Sequence, residues 1–327
     1  MKRLDHYWYS KNLVSGALLP LSWLFCLISQ LRRLAYRRGF IGTDKLPVPV
    51  IVVGNISVGG TGKTPLVIWL AQHLLNQGYQ PGIISRGYGG QATKWPQPVV
   101  ADSDPSLVGD EPVMLAKRTG CTLWVGPDRP ATARALLAAS ACDLLISDDG
   151  LQHYALQRDL EMVVIDGSRE LGNGYCLPAG PLRERTSRLA EVDLVISNGP
   201  SSLTPLQMKL EPGQLINLAD PTLRVGLDHF RQQTVHAMAG IGNPGRFFQT
   251  LRDAGLHLHE HPFPDHHRFS ATDINPDDAL PVIITEKDAV KCAPFSQQRH
   301  WYLEVSAVPG TGFIQQLDQR IREFEDG

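Results

Sequence analysis

Apolar residues in this chain come in short unbroken runs separated by amphipathic stretches. The runs Val48 to Val53, Pro81 to Ser85, Leu123 to Val125, Leu144 to Ser147, Met162 to Ile165 and Val192 to Ile196 read as buried strands. Such runs, apolar on both faces, belong to parallel sheets. Between them Pro65 to Leu75, Pro112 to Thr119 and residues 131–140 carry the helical period. Val235 to Ala239, Leu256 to Phe263, Val282 to Thr285 and Trp301 to Val305 continue the strands, with helices over Gly245 to Ala254 and Phe313 to Phe324. Strand–helix alternation predicts an α/β fold with a mostly parallel sheet and flanking helices. The alternation weakens after Asn198, and Ser201 to Asp228 reads as turn-rich. Three parts are therefore expected: residues 1–38, a core over 39–228 and a smaller C-terminal α/β domain over 229–327.

The first part breaks the pattern. Leu13 to Leu31 carries no charge and is followed by Arg32, Arg33, Arg37 and Arg38. As a helix its 19 residues reach roughly 28 Å, near the ~30 Å of a bilayer's hydrocarbon. Pro20, Gly16 and several serines interrupt a clean span. The basic cluster follows the apolar run and no small-x-small site ends it, so a cleaved signal peptide does not fit. Arginines on that side favour a cytoplasmic body, and each adds about 1 kcal/mol of attraction to an anionic leaflet. The segment is read as a membrane anchor, either embedded in one leaflet or spanning, the rival being a buried helix of the soluble core.

Apolar content of 43% and charge of 20% suit a globular chain with a sizeable core. A formal charge of −2 gives no reason to expect nucleic-acid binding. The cysteines, at 26, 121, 142, 176 and 292, are odd in number and form no C-x-x-C. That spacing argues for a reducing compartment and against a disulfide frame.

The strongest chemical signal is Gly54-Asn55-Ile56-Ser57-Val58-Gly59-Gly60-Thr61-Gly62-Lys63-Thr64, set between a strand and a helix. This is the layout of a phosphate-binding loop. Glycines let backbone N–H groups turn in around an anion, and the helix directs its positive end there. Ser57 to Thr64 would cradle the phosphates of ATP, with Lys63 on the β- and γ-phosphates and Thr64 on Mg²⁺. Ser57 occupies a position that is usually glycine. The second signal is Ser147-Asp148-Asp149-Gly150, acids at a strand's end downstream of such a loop, where Mg²⁺-binding carboxylates sit. Side-by-side carboxylates repel unless a cation neutralises them.

Weaker signals accompany these. Arg86-Gly87-Tyr88-Gly89-Gly90 is a glycine-rich turn at a strand's carboxyl end, where open α/β sheets take ligands. Asp110 and Glu111 open a helix, as first-turn acids often do. Leu177 to Glu184 is too rich in Pro and Gly for regular structure, and Arg183 and Arg185 could reach a phosphate from such a loop. His257, His259 and His261 alternate on one strand, but no acid or Cys at ligand spacing accompanies them. A kinase acting on a hydroxyl needs a base near neutral pKa, and His266 in the turn Pro264 to Phe269 is a candidate.

Gly54 to Pro65, Ser85 to Tyr88, Gly109 to Pro112, Ser147 to His153, Pro178 to Glu184, Phe263 to His267 and Thr285 to Lys291 together resemble the tetraacyldisaccharide 4′-kinase family of Gram-negative bacteria. Ser57 fits the pattern of that family. The resemblance implies a P-loop lipid kinase. It implies transfer of the γ-phosphate of ATP to the 4′-hydroxyl of tetraacyldisaccharide 1-phosphate, giving lipid IVA. It also implies that Asp110 pairs with a histidine, His266 matching better than His267, to deprotonate the hydroxyl. Asp148, Asp149 and Thr64 would hold Mg²⁺, and Arg129 and Arg183 would steady phosphate charge. The expected partners are the lipid substrate and the inner membrane at its cytoplasmic face, with the chain a monomer. A membrane-bound switch ATPase shares the Gly-Gly-x-Gly-Lys-Thr loop but carries a Lys before the glycine pair, where this chain has Val58. A metal-delivering GTPase would show a Cys-rich motif and a guanine signature, and neither is present.

Overall fold

The computed structural model describes residues 4–324. Helix α1 (Leu13–Arg37) precedes β1 (Val50–Gly54), α2 (Lys63–Asn76), β2 (Pro81–Ser85), β3 (Gln97–Val99), α3 (Pro105–Val108) and α4 (Asp110–Thr119). Then come β4 (Leu123–Val125), α5 (Arg129–Ala139), β5 (Leu144–Asp148), β6 (Leu160–Asp166) and β7 (Leu194–Asn198). The long β8 (Gln207–Asn217) and β9 (Arg224–Val225) lead into β10 (Thr234–Ala239), α6 (Pro244–Asp253) and β11 (His257–Pro262). The chain ends with α7 (Ala271–Ile274), β12 (Val282–Thr285), α8 (Glu286–Cys292), β13 (His300–Pro309) and α9 (Thr311–Arg322).

The strands form one sheet in the order β11-β10-β12-β13-β8-β7-β6-β1-β5-β2-β4-β3, with β9 on β8. β1 lies parallel between β5 and β6, and all five of its residues are buried. Its valines and isoleucine suit a pleat covered on both faces. Leu66, Leu70 and Leu74 of α2 cover one face, with Leu115 of α4. Ala133 and Leu136 of α5 cover the other against Val52 and Leu145. Each leucine so buried contributes about 1.5–3 kcal/mol. In the second half Phe247, Phe248 and Leu251 of α6 pack on Val235, Ala237 and Ile283.

Two features differ from the expected layout. The turn-rich stretch contains β8, an eleven-residue strand that runs antiparallel to β13 and joins both halves into one sheet. Its middle residues are exposed and polar, so no apolar run marks it. The last helix, assigned by sequence to the C-terminal domain, instead returns to the first core. Phe313, Leu317 and Ile321 of α9 share a cluster with Leu66 and Leu70, and Asp318 meets His73 at 2.7 Å.

Helix α1 lies along the body with its polarity inverted. It starts at Asn12, whose side chain accepts from Ser15 N while the Ser15 side chain bonds back to the Asn12 N–H. It continues through Pro20 and past Leu31 to Arg37. Its buried residues are the small Ser15, Ser22 and Cys26, spaced to fall on one stripe. Ser22 donates to the Cys176 carbonyl at 2.7 Å, and Arg33 and Arg37 pair with Glu191. Leu21, Trp23, Leu24, Leu27, Ile28 and Leu31 are exposed. A helix buried in a soluble core would turn those residues inward, and here they face outward. The expected absence of disulfide pairing needs correction too. Cys26 and Cys176 form a disulfide across 150 residues, brought together only because α1 lies against the 167–185 loop. Sequence spacing carries no sign of that contact.

Candidate active site

The phosphate loop leaves β1 at Gly54, where a Cβ would lie 2.6 Å from the Leu151 Cβ. Gly62, in the left-handed region at φ 96°, is the N-cap of α2 and offers no side-chain cap. The first N–H groups of this 14-residue helix are therefore free to bind an anion. The loop is held from outside. Val58 N donates to the Pro181 carbonyl at 2.8 Å and Arg183 N to the Ile56 carbonyl at 2.7 Å. Ser57 is bridged to Leu182 and buried, and it does not line the cavity, contrary to its expected place among the phosphate ligands. Val58 to Thr64 do line it, in a cavity of about 840 Å³ between the two halves.

The acid pair at the end of β5 divides. Asp149 faces the cavity, with Lys63 at 3.5 Å and Arg183 at 3.1 Å. Burial opposes its ionisation, but those two cations hold its carboxyl well below the usual range. Asp148 is buried behind it and accepts from Ser85 Oγ at 3.0 Å. Burial, with the charges of Glu111 and Asp149, pushes Asp148 up to about 7. Of the two acids expected on Mg²⁺, only Asp149 therefore presents oxygens to the cavity. Arg129 needs a stronger correction. It is 1% exposed and donates to the carbonyls of Gly126 at 2.8 Å and Asp148 at 3.1 Å. Its guanidinium fixes the backbone under the acid pair and does not reach a phosphate in the cavity. Arg183 does line the cavity.

The third part of the site comes from both halves. Asp110 is the first residue of α4, set by Gly109 at φ 95°. A Cβ on Gly109 would meet the Tyr88 carbonyl at 2.7 Å, so the turn Gly87 to Gly90 needs glycine there. From the other half, His266 reaches Asp110 Oδ2 with Nδ1 at 3.5 Å, and its ring lies 4.9 Å from that of Tyr88. Burial opposes ionisation of Asp110, but His266, Lys287 and Lys291 outweigh it and bring the carboxyl down to about 2. The Asp110 hydrogen bond in turn raises His266, against the effect of burial. His266 lines the cavity, whereas His267 stacks on Phe263 and pairs with Asp273.

Several residues at the site were not read from the sequence. Lys287 pairs with Glu111 at 2.9 Å, and Lys291 lies 3.6 Å from Asp110. Arg246 of α6 crosses the cleft to Asp166 at the end of β6, at 3.2 Å. The i, i+4 spacing of Lys287 and Lys291 on α8 was the legible signal, since it places both on one helix face. The alternating histidines lie elsewhere, on β11. His236 contacts His261 at 2.8 Å and Asp278 at 3.0 Å, and among the described residues no group of three or more His, Cys, Asp or Glu could hold a metal.

Comparison with known proteins bears on this arrangement. Residues 14–322 match the family model described as tetraacyldisaccharide-1-P 4′-kinase. The tetraacyldisaccharide 4′-kinase of Nitrosococcus oceani is 55% identical over 297 residues, covering 91% of this chain and 88% of that protein. The corresponding protein of Alkalilimnicola ehrlichii is 54% identical over 321 residues, covering 97% and 96%. The crystal structure of the "apo" form of LpxK from Aquifex aeolicus in complex with ATP superposes with a TM-score of 0.80 at 29% identity, covering 95% of this chain and 99% of that one.

Proposed function

The chain belongs to the tetraacyldisaccharide-1-P 4′-kinase family, and from that premise we propose how its residues divide the work. The protein is an ATP-dependent lipid kinase. It transfers the γ-phosphate of ATP to the 4′-hydroxyl of tetraacyldisaccharide 1-phosphate, giving lipid IVA. The rival switch ATPase is not favoured. One observation carries the assignment of roles: the phosphate loop with Lys63 and, from the other half, His266 line one cavity, and His266 Nδ1 lies 3.5 Å from the buried Asp110 carboxylate.

In this reading the free N–H groups of Gly59 to Thr64 cradle the phosphates, and Lys63 carries charge on the transferred group. Asp110 accepts from His266 Nδ1–H and fixes the ring, leaving Nε2 to take the proton of the acceptor hydroxyl. Arg183, already beside Asp149, meets the charge that develops on the phosphoryl oxygens. The donor set fits Mg²⁺, which prefers hard oxygen ligands and few carboxylates. Thr64 and Asp149 would hold it, with Asp148 supporting Asp149 from behind. When bound, the ion would neutralise charge across the phosphates. The two halves joined by β8 and β13 act as donor and closing lobes, so the base meets ATP only when the cleft is shut.

The exposed apolar flank of α1 is the membrane-facing surface. The small-residue stripe holds the body alongside the helix, so the helix lies against one leaflet beside the body. The basic run Arg32 to Arg38 supports a body held at an anionic leaflet, read here as the cytoplasmic face of the inner membrane. The test is an assay of purified protein with Mg-ATP and tetraacyldisaccharide 1-phosphate, scored for a product with a second phosphate. His266→Ala should abolish that product while leaving ATP binding intact; normal turnover would remove His266 as base.

A further inference from the structure

The helix α8 sends two lysines toward the N-terminus of α4, and they are not equivalent. Lys287 lines the cavity and pairs with Glu111 at 2.9 Å and Asp265 at 3.6 Å. Lys291, one turn on, does not line the cavity, and no solvent reaches its ammonium. The ammonium sits 2.8 Å from Asp288 Oδ1, 3.6 Å from Asp110 Oδ2 and 5.1 Å from the centre of the Phe269 ring. A buried ammonium is expensive unless acceptors surround it. Here its contact with Asp288 is close but badly aligned for a hydrogen bond, since neither Lys291 Nζ nor Asp288 Oδ1 finds a bonded partner. Lys291 is thus held between two carboxylates and belongs wholly to neither.

Asp288 is the fixed end of this chain of charges. It is fully buried, and its Oδ2 accepts from the Gly240 N–H at 2.7 Å and from Thr285 Oγ1 at 2.6 Å. Those bonds lock the carboxylate against β10 and β12, and only Oδ1 is left for the lysine. Asp110 is the movable end, with Oδ1 held by the Glu111 N–H at 3.0 Å and Oδ2 shared between His266 and Lys291. We propose that Lys291 is a positioning residue for phosphoryl transfer: anchored by buried Asp288, it aims the Asp110 carboxylate at His266. His266 comes from the second half, whereas α8 packs on α4 with Val290 in the first core, so the aim of Asp110 is set where α8 meets α4. The inference rests on the reading of Asp110 and His266 as the base pair.

The test compares Lys291→Met, Lys291→Arg and Asp110→Ala in the full chain, each checked for a cooperative melt and for ATP binding. Misplacing a catalytic group by about 1 Å can cost on the order of a hundredfold in rate. Lys291→Met should therefore lower kcat about tenfold to a hundredfold, with KM for ATP and for the lipid within about twofold. Lys291→Arg, which keeps the cation, should recover most of the loss. Should the methionine variant fail to fold, Lys291→Gln is read in the same way. An unchanged kcat, a loss confined to KM, or a folded arginine variant as slow as the methionine one overturns the proposal. Asp110→Ala separates the two levels. If it is slow while Lys291→Met is normal, only the positioning role fails; if Asp110→Ala turns over normally, the base pair itself fails.

Discussion

At the scale of single residues, the site is a set of mutually adjusted charges, and its pH dependence follows from them. Asp110 raises His266 above its ordinary value, chiefly through their hydrogen bond, and burial opposes the shift. A base must be neutral to accept a proton, so the rate falls as pH drops through the raised pKa. The acid limb of kcat/KM should then lie above about 6.5, the free histidine value. Asp110→Asn keeps the shape and removes the charge, so the residual activity should fall to a lower plateau and its acid limb should move to lower pH. A limb that stays in place in that variant would mean that His266 is not the titrating base. The same scale shows what the sequence could not reveal. Asp148 and Asp149 are neighbours of one type, yet Asp149 turns outward at φ 47° to meet Lys63 and Arg183 while Asp148 stays under Ser85. Arg129 looks like a phosphate ligand until its two donors are found on carbonyls. Arg129→Ala should therefore act as a structural lesion, lowering Tm as well as activity, because it leaves buried carbonyls unpaired at about 1–3 kcal/mol each.

At the scale of elements, continuous apolar runs were legible because buried parallel strands and their flanking helices obey a single rule throughout the chain. β2, β4 and β12 begin and end where the runs do. β8 was not legible, since its pattern is mostly exposed and its ladder partner, β13, lies about ninety residues away. Helix α1 was legible in type but not in orientation. Its length and mean hydropathy of 1.7 fit a membrane helix, and only the structure shows Ser15, Ser22 and Cys26 facing the body. That orientation carries its own prediction. Leu24→Asp and Ile28→Asp, both on the exposed flank, should release protein from anionic vesicles while leaving its melting curve within about 1 °C, because surface changes usually stay within ±0.5 kcal/mol. Unchanged co-sedimentation of the double variant would show that another surface holds the lipid.

At the scale of the whole molecule, the chain is one sheet read by two cores, and its last helix decides how they are coupled. His266 and the loop residues Ile241 to Asn243, which line the cavity, come from the second half; a Cβ on Gly242 would lie 3.1 Å from Gly60 N of the phosphate loop. β8 pairs with β7 on one side and with β13 on the other, and β13 pairs with β12, so the two halves share backbone hydrogen bonds as well as side-chain contacts. After β13, α9 closes the first core over α2, the helix that opens from the phosphate loop. Leu317→Ala, at a fully buried position, should cost about 2–5 kcal/mol. If α9 belongs to the first core, the lost protection in native-state hydrogen exchange will fall on α2 and β13, and the apparent affinity for ATP will weaken with it. The α6 amides, in a separate cluster around Phe247 and Leu251, should keep their protection under conditions where only local opening is sampled. Loss centred on α6 with α2 unaffected would restore the division at residue 229 that the sequence suggested.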